Sequence, residues 1–162
     1  MGVLDNRHAL ITGGGTGIGA AIARALAGEG AAVSLAGRRQ APLENVAASL
    51  AKATAIVADV TKESDCAAMA RAACEAHGPI DIVVANAGTA ASAAVEKMEL
   101  SHWQSMIDVN LTGAFLTVKA ALPDVTRKFE GTRRIVFIAS TAGLRDIPTS
   151  RHIVPPSTAS SA

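Results

Sequence analysis

The chain has 162 residues, enough for one domain with a hydrophobic core and too few for two. Its 15 basic and 14 acidic residues give a formal net charge of +1, so no strong field attracts nucleic acid or an anionic membrane. We expect neither as a partner. The sequence carries no apolar run of membrane-spanning length and no export signal, which predicts a cytoplasmic protein with reduced cysteines.

Short apolar runs alternate with amphipathic stretches along most of the chain. The apolar runs predict five strands, at residues 8–12, 32–36, 55–58, 80–85 and 134–139. Four helices are predicted between them, at 17–27, from about 42, at 62–77 and from 101 to about 128, where Pro123 is expected to kink or end the last. This alternation predicts an α/β fold with a parallel sheet covered on both faces.

The stretch TGGGTGIG, residues 12–19, follows the first predicted strand and opens the first predicted helix. Glycines tolerate positive φ and let backbone N–H groups approach a pyrophosphate at the positive end of a helix. We expect Gly19 to let that helix lie close to the sheet. The spacing predicts a dinucleotide-binding site, and the alternative is a glycine-rich turn without a ligand.

These residues resemble the cofactor fingerprint of the short-chain dehydrogenase/reductase family, and the chain resembles that family over about residues 4–145. Asp59-Val60 ends the third predicted strand, Asn86-Ala87-Gly88 follows the fourth, Asn110 lies in the fourth helix and Ser140 follows the fifth strand. The resemblance implies a Rossmann-like doubly wound sheet in which Ser140 and Asn110 are catalytic. The cofactor-binding residues expected from it and from the strand ends are Thr12, Gly13, Gly15, Thr16, Gly17, Ile18, Gly19, Arg38, Asp59, Val60, Asn86, Ala87 and Gly88.

Each of the later motifs also has a purely structural interpretation. Asp59 is suited to cap the helix that begins near Lys62, and residues 86–88 are suited to a simple turn. Asn110 is equally an ordinary polar residue of a helix. Their common order, at the ends of strands where doubly wound sheets bind ligands, favours the functional interpretation.

The choice of nicotinamide cofactor depends on the end of the second strand, which reads Val-Ser-Leu-Ala-Gly-Arg-Arg at residues 33–39. A carboxylate at this point would bind the ribose hydroxyls of NAD and repel a 2′-phosphate. None is present, and Arg38 is suited to hold a phosphate through charge-assisted hydrogen bonds. We therefore favour NADP, with NAD as the alternative if Arg38 and Arg39 are only solvated loop residues.

The resemblance also implies a Tyr-x-x-x-Lys motif, in which Tyr donates the proton and Lys lowers its pKa. Those positions carry Ile153 and Ser157, and the chain contains no Tyr. His152 is not expected to substitute, because Pro155-Pro156 prevents a regular helix there. We therefore expect little or no turnover, although the family transfers a hydride between NAD(P)(H) and a ketone or alcohol, 3-oxoacyl groups among them.

Residues 1–148 are thus interpreted as an incomplete NAD(P)-binding domain that lacks the last strands and helices, and residues 149–162 as an aberrant tail. A reading frame shifted by one base permits Tyr at position 153 and Lys at 157, which suggests a single-base deletion near the codon of Thr149. The alternative is a natural or engineered divergent tail.

For the chain itself, a non-catalytic NAD(P)-binding module and a non-functional fragment remain alternatives to an enzyme. The family commonly forms homo-oligomers through the fourth helix and the helix that follows it. Only the first of these two is intact in this chain, which makes pairing doubtful here.

Overall fold

A computed structural model describes residues 2–91, 93–126, 133–140 and 152–153 of the chain. Its centre is a five-stranded parallel sheet in the order β3-β2-β1-β4-β6. These strands are β1 (His8–Thr12), β2 (Ala32–Gly37), β3 (Ala53–Val57), β4 (Ile82–Ala85) and β6 (Arg134–Phe137). Because the strand order reverses between β1 and β4, a crevice opens at the carboxyl ends of these two strands.

Helices cover both faces of the sheet, as the α/β pattern predicted. They are α1 (Gly17–Gly28), α2 (Gln40–Ala48), α3 (Glu63–His77), α4 (Leu100–Ile107) and α5 (Gly113–Val125). Helices α1 and α2 pack on one face and α3 and α5 on the other. The Rossmann-like doubly wound fold expected from the sequence is confirmed.

Strand β1 shows how the two-residue period of a strand divides the core. Ala9 and Ile11 pack with the α1 and α2 side, whereas Leu10 packs with the α3 and α5 side. All five residues of β1 are buried, as expected for a central parallel strand covered by helices on both faces. The glycine loop that follows β1 is therefore attached to a fully buried strand in the middle of the sheet.

Several predicted boundaries differ from those in the structure by a few residues. β3 begins two residues early, at Ala53, because it pairs along β2 from Val33 onwards. β4 begins at Ile82 rather than residue 80, although Ile80 is fully buried. α2 begins at Gln40, ahead of Pro42, which is tolerated because the N–H groups of a first helical turn have no partner within the helix.

The predicted fourth helix is divided into three parts. A π-helical turn at Asp108–Thr112 separates α4 from α5, and Pro123 lies in the last turn of α5, which ends at Val125. The sequence predicted one helix over this stretch, and a single i→i+5 turn within an α-helix is a rare feature. The predicted end near residue 128 falls outside the described residues.

A two-residue strand, β5 (Ala93–Ala94), pairs antiparallel with β7 (His152–Ile153). The rest of the predicted aberrant tail, including Ser157, lies outside the described residues. Within the part of the chain that the structure describes, no helix has the length and apolar character needed to cross a membrane. Neither Cys66 nor Cys74 forms a disulfide there, and burial raises the pKa of the Cys66 thiol to about 11.

Candidate functional site

Two adjoining cavities lie at the carboxyl ends of β1, β2, β3, β4 and β6. The first, of about 380 Å³, is lined by Gly13, Thr16, Gly17, Ile18, Gly37, Arg38, Arg39, Ala58, Asp59, Val60, Asn86, Ala87, Gly88 and Val109. The second, of about 300 Å³, is lined by Ile18, Ala85, Ala87, Gly88, Thr89, Ala90, Asn110, Ala114, Ile138, Ala139 and Ser140. Because Ile18, Ala87 and Gly88 line both, the cavities form one groove, which we call the carboxyl-end groove.

The glycine loop forms one wall of this groove with its backbone. Gly13 and Gly17 have φ angles of 66° and 53°, in the left-handed region that favours glycine. A Cβ atom at Gly17 would meet nothing within 4 Å, so the space in front of this residue is open. The first turn of α1 carries no acidic side chain, so its positive end is free to bind an anion. These features fit the pyrophosphate of a dinucleotide.

Gly19 contributes in a different way, by close packing rather than by lining the groove. It is buried, and a Cβ atom there would overlap the carbonyl oxygen of Gly13 and lie 2.6 Å from Nδ2 of Asn86. The sequence prediction that this glycine brings the helix close to the sheet agrees with this geometry. Gly15, by contrast, faces a smaller adjoining cavity that it shares with Arg38, Arg39 and Pro42.

Thr12 and Asn86 join the ends of β1 and β4 beneath the groove. The Thr12 hydroxyl accepts hydrogen bonds from the backbone N–H groups of Asn86 and Ala87, each at 3.1 Å. The Asn86 side chain donates to the carbonyl oxygen of Thr12 at 2.9 Å. Thr12 is only 1% exposed and does not line either cavity. Its observed contacts position the loop, and residues 86–88 are more than a simple turn.

Asp59 lies in the loop between β3 and α3 and lines the groove. Its Oδ1 atom accepts hydrogen bonds from the Thr61 N–H at 3.1 Å and the Thr61 hydroxyl at 2.8 Å. These two bonds lower the pKa of Asp59, and the positive charge of Arg38 lowers it further. Asp59 therefore stabilises the turn before α3 but does not cap that helix, whose N-cap residue is Lys62 and has no side-chain capping bond, and it is ionised beside Arg38.

Asn110 lies within the π turn, and both ends of its amide bind the backbone of Thr89. Its Oδ1 accepts from the Thr89 N–H at 2.8 Å, and its Nδ2 donates to the Thr89 carbonyl at 2.9 Å. Asn110 and Ser140 line the same cavity although they are far apart in the sequence. The structure thus brings the two predicted catalytic residues to one part of the groove.

Sequence reasoning missed Thr89, Arg39 and the wall that Ala114 contributes from α5. Thr89 acts through its backbone, so its side-chain type gives no signal. Arg39 was noticed only as part of a basic pair, although it lines the groove beside Arg38. Its position directly after the strand end was a usable signal, because ligands of doubly wound sheets bind there.

The fold and the groove together define a Rossmann-like domain, and comparison with known proteins identifies its family. The short chain dehydrogenase family model matches residues 7–152, and the chain belongs to this family. It is 41% identical over 145 residues to an uncharacterized oxidoreductase of Staphylococcus aureus strain MRSA252. That alignment covers 88% of this chain and 62% of the relative, so the chain spans about three-fifths of the relative's length.

Solved structures give the same result. A short-chain type dehydrogenase/reductase from Mycobacterium marinum superposes with a TM-score of 0.85 at 37% identity, covering 93% of this chain and 62% of the other. An alcohol dehydrogenase from Thermococcus sibiricus, complexed with 5-hydroxy-NADP, superposes with a TM-score of 0.81 at 34% identity. That match covers 87% of this chain and 61% of the archaeal enzyme. Family membership supports a dehydrogenase that uses NAD(P).

Proposed function

We propose that the chain binds NADP(H) in the carboxyl-end groove. We further propose that the parent activity is hydride transfer between this cofactor and a ketone or alcohol, 3-oxoacyl groups among the candidates. The observation that carries the proposal is the open, glycine-lined end of α1. There, backbone N–H groups and the helix dipole face a cavity of about 380 Å³ that also contains Arg38. The cofactor would supply the hydride.

The preference for NADP over NAD rests on the charges beside Gly37. Arg38 and Arg39 both line the groove, and Gly37 between β2 and these residues carries no side chain that would repel a phosphate. Asp59 is the nearest described carboxylate of the groove, and its charge is offset by Arg38 and by hydrogen bonds from Thr61. The archaeal neighbour that holds 5-hydroxy-NADP supports the same preference.

In the reacting part of the groove we assign two roles. The Ser140 hydroxyl would donate a hydrogen bond to a substrate carbonyl oxygen, and Asn110 would fix the loop after β4 through its two bonds to Thr89. Neither group is an acid strong enough to deliver the proton that the product alkoxide needs. Since the 162 residues contain no Tyr, we propose that the chain turns over slowly or not at all.

The prediction for cofactor choice is tested by replacing Arg38→Gln. We expect affinity for NADPH to fall about tenfold, the loss of one charge-assisted phosphate contact, while affinity for NADH changes little. Titration monitored by nicotinamide fluorescence or calorimetry measures both. Arg24→Gln removes the same charge from the exposed side of α1 and is the matched control. Equal losses for both cofactors would contradict the NADP preference, and no binding of either would overturn the proposed function.

A second candidate function is a non-catalytic NADP(H)-binding module, favoured by the same absence of Tyr from the sequence. It needs the glycine loop and Asn86 but no proton donor. Oxidation of NADPH by a panel of ketones separates the two functions. Turnover that is lost on Ser140→Ala supports an enzyme, and saturable NADPH binding without turnover supports the module.

Pairing of two copies also remains a proposal. Leu111, Phe115 and Leu122 are 51%, 60% and 42% exposed and recur at helical spacing along the π turn and α5. This is the helix through which family members were expected to associate. An exposed apolar stripe of this kind supports such a contact.

A further inference from the structure

A polar cavity of about 280 Å³ opens at the amino ends of the strands, on the side of the sheet opposite the carboxyl-end groove. We call it the amino-end cavity, and it is lined by Asn6, Arg7, Gly30, Ala32, Lys52 and His77. These residues come from separate segments: the loop before β1, the turn between α1 and β2, the loop before β3 and the last residue of α3. The proposed cofactor role uses none of them.

The charges that line this cavity are positive. Arg7 and Lys52 are cationic, His77 can become so, and no carboxylate is among the lining residues. Two carboxylates lie nearby, and one of them, Asp81, forms an ion pair with Arg7 itself. Asp5 accepts a hydrogen bond from the Gly2 N–H at 3.1 Å, and Asp81 contacts both Arg7 and Arg133, at 3.3 Å and 3.7 Å.

His77 lines the cavity and uses one ring nitrogen for a hydrogen bond within the protein. Its Nε2 atom is 3.0 Å from the Thr54 hydroxyl, and among the described residues no hydrogen-bond partner contacts its Nδ1 atom. The ring stands edge-on to that of His8, with centroids 5.3 Å apart. When His77 is protonated, the Thr54 hydroxyl can accept from Nε2, and Nδ1 is left to donate into the cavity.

Lys52 lies close enough to disfavour a positive charge on His77. Burial lowers the pKa of His77, and the positive charge of Lys52 lowers it further. A neighbouring His8, whose own pKa burial lowers, adds no positive charge near neutral pH. An anion placed between Lys52 and His77 would relieve this repulsion and favour the protonated imidazole.

We propose that the amino-end cavity binds a small tetrahedral oxyanion of the phosphate type, free or as a monoester, between Arg7, Lys52 and His77. Guanidinium, ammonium and imidazolium groups all donate charge-assisted hydrogen bonds to phosphate, and the Asn6 amide adds a neutral donor. The cavity is large enough for such a group together with water. Binding takes up a proton at His77, so affinity increases as the pH falls.

The test uses the full 162-residue chain and follows its histidine rings by NMR in a buffer without phosphate. Inorganic phosphate and glycerol phosphate are added separately, with sodium chloride adjusted to hold ionic strength constant. The expected result is a saturable change in the His77 ring resonances and an increase in the pKa of His77. His102, which is exposed on α4, gives no saturable response. A response to the monoester alone identifies the esterified group as the ligand.

Matched variants distinguish a site from general charge screening. Lys52→Gln is expected to weaken phosphate binding about tenfold, whereas Lys97→Gln, which removes an exposed charge elsewhere, leaves it unchanged. Far-ultraviolet circular dichroism checks that each variant remains folded. Equal effects of the two variants, the same His77 response to sodium chloride, or no change in the pKa of His77 would each overturn the proposal. None of these results bears on NADPH binding in the carboxyl-end groove.

Discussion

The carboxyl end of β1 is followed by glycines, which have no side chains, whereas the amino end of the same strand carries a buried polar side chain. The carboxyl end has Gly13 and Gly17, whose bare backbone lines the groove, and Gly19, which packs beneath it. The amino end has His8, which is 2% exposed and bonded on both ring nitrogens, to the Gly78 carbonyl at 2.8 Å and the Ser34 hydroxyl at 2.9 Å. The groove is thus open to a ligand, whereas both ring nitrogens of His8 are bonded within the protein and leave no group for one.

The difference separates groups that stabilise the fold from groups that are available to a ligand. A satisfied buried network such as His8, Ser34 and Gly78 contributes to stability and leaves no group for a ligand. The glycine loop leaves N–H groups without partners, so its stability must come from contacts beneath it, chiefly those of Thr12 and Asn86. Three substitutions test this comparison.

The largest effect is expected at Gly19→Ala. The new Cβ would overlap the Gly13 carbonyl oxygen, and because that oxygen belongs to the backbone it cannot rotate away. We expect the free energy of unfolding to fall by about 3 kcal/mol, together with loss of NADPH binding. Urea denaturation measures the first and calorimetric titration the second.

Gly28→Ala, at the end of the same helix, is the control for this substitution. A Cβ there meets nothing within 4 Å, so we expect no loss of stability and a gain of up to about 1 kcal/mol from reduced chain entropy. Similar effects at Gly19 and Gly28 would show that the close approach of α1 to the loop is unimportant.

The second substitution, Thr12→Val, keeps the shape of the side chain but removes the hydroxyl. The N–H groups of Asn86 and Ala87 would lose their acceptor in a place from which water is excluded. We expect a loss of about 2 kcal/mol in the free energy of unfolding, measured by urea denaturation. Thr126→Val, at an exposed position just after α5, should change it by less than about 0.5 kcal/mol. A Thr12→Val chain as stable as the original would mean that these bonds do not support the groove.

The sequence predicted the five strands of the central sheet, the helices α1, α2 and α3 and many of the residues that line the groove, because apolar periodicity and glycine spacing are local signals. It did not predict the π turn, since no residue pattern marks one extra residue in a helix. It assigned Thr12 to the ligand, whereas the observed contacts of Thr12 are with the backbone after β4. Such a contact joins residues 74 positions apart, and only the sheet order brings them together. The amino-end cavity was missed for the same reason, because each of its segments carries a single ordinary polar residue.

The smallest predicted effect concerns pH and the amino end of the sheet. Burial lowers the pKa of His8 below its ordinary value of 6.5 and outweighs the opposing hydrogen bond to Gly78. At a pH below 6.5 the unfolded chain therefore binds a proton that the folded chain does not, so stability is complete above that value and falls as the pH drops. We expect a loss of roughly 1 kcal/mol between about pH 7.5 and about pH 5.5, measured by urea denaturation.

The carboxyl and thiol groups whose pKa values are shifted affect stability outside this pH range. Asp59 and Glu63, whose pKa values are lowered, affect stability only below their ordinary values of 3.8 and 4.5, and the raised pKa of Cys66 matters only above 9.0. His77 has a lowered pKa of the same origin and adds to the slope in the same direction. His8→Gln should therefore reduce the pH dependence without abolishing it, because the contribution of His77 remains. If His8→Gln retained the full slope, the burial of His8 would not be a cause of the pH dependence.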